Sequence, residues 1–375
     1  MATDGNKPLF LQSIQKLVTG LSEEEIYPYA PTPGLPALRT HWREEMDRKN
    51  PSLKGKQTSE PLVTSGLTHG ILVVADLFAN RGDKVVVPDM FWGNYRLIFE
   101  ERIGAELSTF PFFDEDGKIN LTALERSLRD AGQKKILVLN FPNNPTGYSP
   151  TREEAQSIAD LLKKLADEGS DILCILDDAY FGLFYEDDTF TESLFGILAD
   201  MHENILAAKI DGATKEELAW GFRVGFVTYA ARGLNDEHYE ALQKKTMGAI
   251  RSSISNANRM AQSLLLKGLQ DPEYQKQKQE AFETLKARYK KVREVVDAMS
   301  DDAPLKTLPF NSGYFMTFRY RGDAEKLRLH LLDKYGVGTI AIGTEYLRVA
   351  YSSVALENIE DLYQIIDKAS REIAD

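Results

Sequence analysis

Lys215 lies between two apolar runs, residues 204–210 and 223–229, that read as strands. A lysine just past a strand end, with Arg223 eight residues on, suits a cofactor bearing both an aldehyde and a phosphate. The amine condenses with the aldehyde and the guanidinium takes the phosphate. Alone, the two are ordinary solvated loop charges. Two further stretches follow strand-like runs: Asn144-Pro-Thr-Gly147 after 135–140, and Asp177-Asp-Ala-Tyr180 at the end of 171–177. There the Asn144 amide can donate to a phenolate oxygen, and a carboxylate can face a protonated ring nitrogen. The Tyr180 hydroxyl would reach the same phenolate from the other side. Each stretch is also a good turn sequence. It is their joint placement with a downstream lysine that points to ring chemistry.

These residues can cooperate only if their strands lie side by side. From residue 62 the chain alternates strand-like runs (62–64, 83–88, 106–111, 135–140, 171–177) with helix-period segments. The helices are expected over 71–79, up to 99, over 121–131 with Asn120 as N-cap, and over 151–168 with Ile158, Leu161, Leu162 and Leu165 on one face. This alternation predicts an α/β fold, a large domain whose mostly parallel sheet is flanked by helices. Ligands gather at the carboxyl ends of such strands, which puts 66–68, 143–144, 177–180 and Lys215 on one rim. Upstream, helices are expected over 8–20 and 38–46, around a proline-rich loop at 27–36. Residues 256–300 read as one long helix, or one bent near Asp271-Pro272. Strands at 314–320 and 346–351 and helices at 324–335 and 356–373 then suggest a smaller α+β domain. The expected division is 9–285 for the large cofactor-binding domain and 286–375, with 1–8, for the small one.

The 375 residues carry 45 Lys and Arg against 57 Asp and Glu, a net charge of −12. That argues against a nucleic-acid or anionic-membrane surface, so local arginines must hold any anionic ligand. The single cysteine, Cys174, lies in an apolar run and reads as a small buried hydrophobe. Without a disulfide framework the chain suits a reducing, cytoplasmic setting. No apolar stretch approaches the roughly 18–20 residues of a membrane span, and the N-terminus has no signal-peptide pattern. The five histidines are scattered without metal-ligand spacing, so no metal site is expected.

In order and spacing, Asn144-Pro-Thr-Gly147, Asp177-Asp-Ala-Tyr180 and Lys215 followed by Arg223-Val-Gly225 resemble the fold-type-I pyridoxal-phosphate enzymes, specifically the aspartate aminotransferase family of class I aminotransferases. The likeness covers nearly the whole chain. It implies pyridoxal 5'-phosphate as cofactor and Lys215 as the imine-forming lysine and proton shuttle. It implies Asp177 against the ring nitrogen, Asn144 and Tyr180 at the ring hydroxyl, and Arg223 at the phosphate. Gly66, Leu67 and Thr68 match the phosphate turn, and Trp92 the aromatic that stacks on the ring beside the substrate. Tyr29 matches a tyrosine that reaches the phosphate in the partner subunit. Arg348 matches the fork that binds the substrate α-carboxylate. Arg251 matches an arginine that crosses the dimer interface to a second carboxylate. The implied protein is a homodimer with shared active sites. It would transfer an amino group between an amino acid (aspartate, glutamate or aromatic) and a 2-oxo acid by a ping-pong mechanism.

Two departures accompany the likeness. Gly212 stands where the family has a phosphate-binding serine, with Thr214 and Ser253 as candidate substitutes. The family has an N-terminal arm and a loop before the first helix that helps close the site, and residues 1–8 look like the end of that loop. His69 has no family role and reads as structural, and Tyr314 or Phe315 would line the pocket wall. The same Lys215 and Asp177 would also serve a β-lyase, a decarboxylase or a racemase, and a cofactor-binding protein without catalysis would keep the same fold.

Overall fold

The computed structural model describes residues 1–5 and 7–373. Asn6 and the last two residues of the expected small domain, 374 and 375, lie outside the described residues.

Seven strands form the central sheet: β1 (Leu62–Thr64), β2 (Lys84–Pro88), β3 (Glu106–Phe110), β4 (Lys134–Asn140), β5 (Asp171–Asp177), β6 (Ile205–Gly212) and β7 (Gly225–Ala230). Their order is β1-β7-β6-β5-β4-β2-β3. All neighbours are parallel except at β7, which runs antiparallel to both β6 and β1. The link from β6 to β7 is a loop without a crossover helix, so the chain turns back on itself there. The fold is thus the mostly parallel α/β sheet that the alternation predicts.

Period-two patterning splits each central strand between two cores. Ile136 and Val138 of β4 pack with Ile71 and Val74 of α2 (Leu67–Phe78) on one face. Leu137 and Leu139 face Leu124 and Leu128 of α3 (Leu121–Asp130) and Ile158 and Leu162 of α4 (Arg152–Asp167) on the other. Fully burying each such side chain contributes about 1.5–3 kcal/mol. Local signals start the helices. Asn120 accepts from the Ala123 N–H, and Thr151 and Glu154 form a reciprocal capping box.

Four antiparallel strands, β8 (Leu305–Thr307), β9 (Met316–Tyr320), β10 (Ile340–Ile342) and β11 (Tyr346–Val349), form a second, smaller sheet in the order β8-β9-β11-β10. Two helices cover it, one at Ala324–Tyr335 and one at Ile359–Ile373.

Several expectations need correction. Of residues 8–20 only Gln12–Gln15 is α-helical. The first long helix is α1 (Pro36–Lys49), and the expected helix to residue 99 is a π-helical stretch, Arg96–Ile103. Three helices fill 236–297: α5 (Asp236–Ser253), α6 (Arg259–Leu269) and α7 (Tyr274–Asp297). The break between α6 and α7 falls where Asp271-Pro272 suggested a bend, because proline has no N–H to continue the ladder. The sequence pattern does not predict helix α5, since only Tyr239, Thr246 and Ile250 of its 18 residues are buried and the apolar stripe is correspondingly thin. Among the described residues no helix is long and apolar enough to cross a membrane.

Candidate active site

The carboxyl ends of β4 and β5 are in register, with Asn140 opposite Asp177. The Asn140 amide donates to the Asp177 carbonyl (2.6 Å), and its Oδ1 accepts from the Asn144 N–H (2.7 Å). One side chain thus ties the Asn144 turn to the strand carrying Asp177. The Asp177 carboxyl is 3% exposed. Its Oδ2 accepts from the Tyr95 hydroxyl at 2.6 Å, while Oδ1 is buried without a hydrogen-bond partner among the described residues. Burial pushes this carboxyl up to about 6, against the opposing pull of Tyr95 and Lys215.

Asp177 belongs to the lining of a cavity of about 140 Å³ that gathers residues from five segments. Leu67 and Thr68 open α2, Trp92 precedes the π-helical stretch, and Asn144 and Tyr180 follow β4 and β5. Lys215 and Arg223 come from the β6–β7 loop. The Lys215 ammonium lies 5.0 Å from the centre of the Tyr180 ring. Its pKa is lowered, chiefly by burial and secondarily by Arg223, while Asp177 opposes the shift. The Tyr314 hydroxyl donates to the Lys215 carbonyl (2.7 Å) and pins the backbone there.

At the far end Gly66, with φ +78°, caps α2, whose first residues Leu67 and Thr68 line the cavity. A Cβ at Gly66 would stand 2.5 Å from Arg223 Nη2, so glycine lets the guanidinium lie against the turn. Gly212 and Gly225 face each other where β6 and β7 pair. A Cβ at Gly212 would meet the Val224 carbonyl oxygen at 2.6 Å, which leaves no room for a serine. Of the two candidate substitutes, Thr214 lines the cavity and its hydroxyl is buried without a hydrogen-bond partner among the described residues. Ser253 is occupied by His69 Nε2 at 2.9 Å, while His69 Nδ1 accepts from the Ser65 N–H. His69 therefore joins the turn to the end of α5, in keeping with a structural role.

Arg348, on β11, donates through Nη1 to Asn144 Oδ1 at 2.7 Å and lies 4.3 Å from the Phe315 ring centre. It brings the small sheet to the rim of the large one. Two residues stay outside this cluster. Tyr29 is 88% exposed, and Arg251, in the last turn of α5, is exposed with no ion-pair partner among the described residues. Sequence reasoning missed Tyr95 and Asn140. Tyr95 lies three residues past Trp92, the one local signal that could have raised it. Asn140 was visible only as the last residue of a strand. Among the described residues no group of three or more His, Cys, Asp and Glu could hold a metal ion.

The chain is similar to known proteins along its length. It is 29% identical over 234 residues to the aspartate aminotransferase of Bacillus sp. (strain YM-2), covering 62% of this chain and 55% of that protein. The chain therefore spans about half the length of that relative. It is 27% identical over 365 residues to the probable aspartate/prephenate aminotransferase of Aquifex aeolicus, covering 92% of this chain and 84% of that protein. The crystal structure of an aminotransferase from Anaerococcus prevotii shares the fold, with a TM-score of 0.86 at 24% identity over 99% of this chain and 90% of that one. Matched over residues 2–366 by the model of aminotransferase class I and II, the chain belongs to that family.

Proposed function

We propose that this protein is a pyridoxal-phosphate-dependent aminotransferase that moves an amino group between an amino acid, aspartate, glutamate or aromatic, and a 2-oxo acid. One observation carries the reading: a buried carboxyl with an unpartnered oxygen and an amine of lowered pKa line the same cavity. The residues present fit the cofactor. Asp177 Oδ1 is free to take a ring N–H, and the unpartnered Thr214 hydroxyl, the α2 N-terminus and Arg223 supply donors for a phosphate. When bound, pyridoxal phosphate supplies an aldehyde for the amino group and a ring that accepts the electron pair left at the substrate α-carbon.

The rest is the work of the chain. Lys215 Nζ, whose pKa burial lowers, takes the α-proton and later returns it. Asp177 Oδ1 would accept a ring N–H and keep that proton in place. Asn144 Oδ1 is engaged by Arg348, so its amide N–H groups would be the ones to donate to a ring oxygen, and the Tyr180 hydroxyl would serve the same atom. Trp92 covers one face of the cavity. Arg348 holds the substrate α-carboxylate and is already aligned by Asn144 and Phe315.

A homodimer with shared sites belongs to this proposal. Tyr29, Tyr27 (79% exposed) and Arg251 are presented outward, where a second copy can receive them. Cytoplasmic residence is proposed from the free buried cysteine. The division into 9–285 and 286–375 with 1–8 is likewise proposed. It is supported by Thr3, whose hydroxyl donates to the Ser353 carbonyl and whose carbonyl accepts from Arg288. The test is oxo-acid formation from aspartate, and from an aromatic amino acid, with 2-oxoglutarate as acceptor and cofactor added. Lys215→Ala should lower the rate by roughly 10²–10⁴-fold or more. Ammonia or CO₂ in place of an oxo acid would point to a lyase or decarboxylase.

A further inference from the structure

A second cavity, of about 350 Å³, is lined by residues that directly follow Tyr180 and Lys215 in the chain and shares no lining residue with the first. One wall is the turn directly after Tyr180, with Phe181 and Phe184 packed edge to face at 5.6 Å. Facing it is the first half of α7, with Lys278 and Phe282. Lys49 from the end of α1 and Glu216, the residue after Lys215, form the floor.

The polar groups there form one cluster. Glu216 receives Lys49 at 2.5 Å on Oε2 and Lys278 at 2.8 Å on Oε1, and Lys278 also lies 3.3 Å from Glu217. Glu216 sits between two cations and its pKa falls to about 2, while burial raises that of Glu217. Each ammonium has three donors, so the two lysines hold more N–H groups than the two carboxylates engage. Arg48, paired with Glu45 at 2.7 Å, stands at the mouth. Cations over aromatic walls, in a cavity within the size range of small-molecule sites, are complementary to an anion with a flat apolar body.

We propose that this cavity is an effector site for a small aromatic monocarboxylate, whose acid group meets Lys49 and Lys278 and whose ring lies between Phe181, Phe184 and Phe282. The path to the reacting residues is short. Glu216 adjoins Lys215 in the chain, and Gly182 lies two residues after Tyr180. Gly182 has φ +93°, and a Cβ there would stand 2.4 Å from Glu216 Oε1, so the two segments touch at this point. An anion that draws Lys49 and Lys278 away from Glu216 loosens this contact and shifts the Lys215 backbone. Only this coupling rests on the aminotransferase reading.

The experiment is calorimetric titration of the cofactor-loaded protein with 3-phenylpropanoate, which has no amino or oxo group to transfer. Arg348→Ala and Ala281→Trp are titrated in parallel; the latter indole fills the second cavity. Binding retained in Arg348→Ala and weakened at least about tenfold in Ala281→Trp supports the site. The reverse pattern places the probe in the first cavity and overturns the proposal, as does absence of binding to the parent protein. In steady-state assays the probe should change kcat of the parent protein and leave that of Ala281→Trp unmoved. Binding with an unchanged kcat overturns the coupling. A protein that binds the probe in this pattern but transfers no amino group keeps the site and refutes the aminotransferase reading instead.

Discussion

Replacing Tyr95 by phenylalanine should make the Asp177 carboxyl largely neutral near physiological pH in the cofactor-free chain. Its Oδ2 accepts from the Tyr95 hydroxyl at 2.6 Å, and its Oδ1 has no hydrogen-bond partner among the described residues. Burial lifts the pKa from 3.8 to about 6, and the Tyr95 bond is the strongest influence in the other direction. A hydrogen bond to a charged group is worth about 1.5–3 kcal/mol, and about 1.4 kcal/mol corresponds to one pH unit, so Tyr95→Phe should carry the carboxyl to roughly 7–8. The folded pKa lies above the unfolded one, so between the two the folded chain holds a proton that the unfolded chain has released. Stability from this group is therefore fully present below the unfolded pKa and is lost as pH rises through the folded one. In the parent protein the loss ends near pH 6. In the variant it continues to roughly pH 7–8 and deepens by about 1.5–3 kcal/mol. Urea unfolding of both cofactor-free proteins at about pH 5 and about pH 9 reads the effect: the gap between them should widen by that amount at the higher pH. Equal gaps at the two values would refute the idea that Tyr95 controls the charge on Asp177.

Three further outcomes follow from the geometry. Gly212→Ser should lower stability by about 1–3 kcal/mol and weaken cofactor retention, because its Cβ meets backbone that cannot move aside; a variant as stable as its parent would contradict this. Lys209, 1% exposed, lies 2.5 Å from Asp178 and 3.0 Å from Asp211, which also accepts from the Trp42 indole. Lys209→Met strands two buried carboxylates and should cost about 3–5 kcal/mol in urea unfolding, and a loss below about 0.5 kcal/mol would sink the argument. Arg348→Lys keeps the charge and loses the fork, so KM for the amino acid should rise roughly 10–100-fold, with kcat changed less; a KM within about twofold of the parent would remove Arg348 from the carboxylate site.

How much of the site was legible depends on the range of each interaction. Asn144, Asp177 and Lys215 each sit at or just past a strand end, and strand ends can be read from apolar runs a few residues long. The break at Asp271-Pro272 and the Asn120 cap are local in the same way. The Tyr95–Asp177 bond joins residues 82 apart, and the Arg348–Asn144 bond joins residues 204 apart. Nothing in either neighbourhood names the other partner. Gly212 illustrates the same limit from a different side. As a letter it was a missing serine; in the fold it is a place where β6 and β7 come too close for any side chain.

By itself, then, the sequence determined the alternating fold, the rim on which ligands gather and the residue types offered there, because period and turn chemistry act within a few residues. Only the tertiary structure decided the charge on Asp177, the lowered pKa of Lys215 and the aim of Arg348. It alone buried Lys209 between two acids, and it alone joined Lys49 to Glu216, 167 residues away. Those properties depend on burial and on which distant groups share it, and both are set by how the sheets pack.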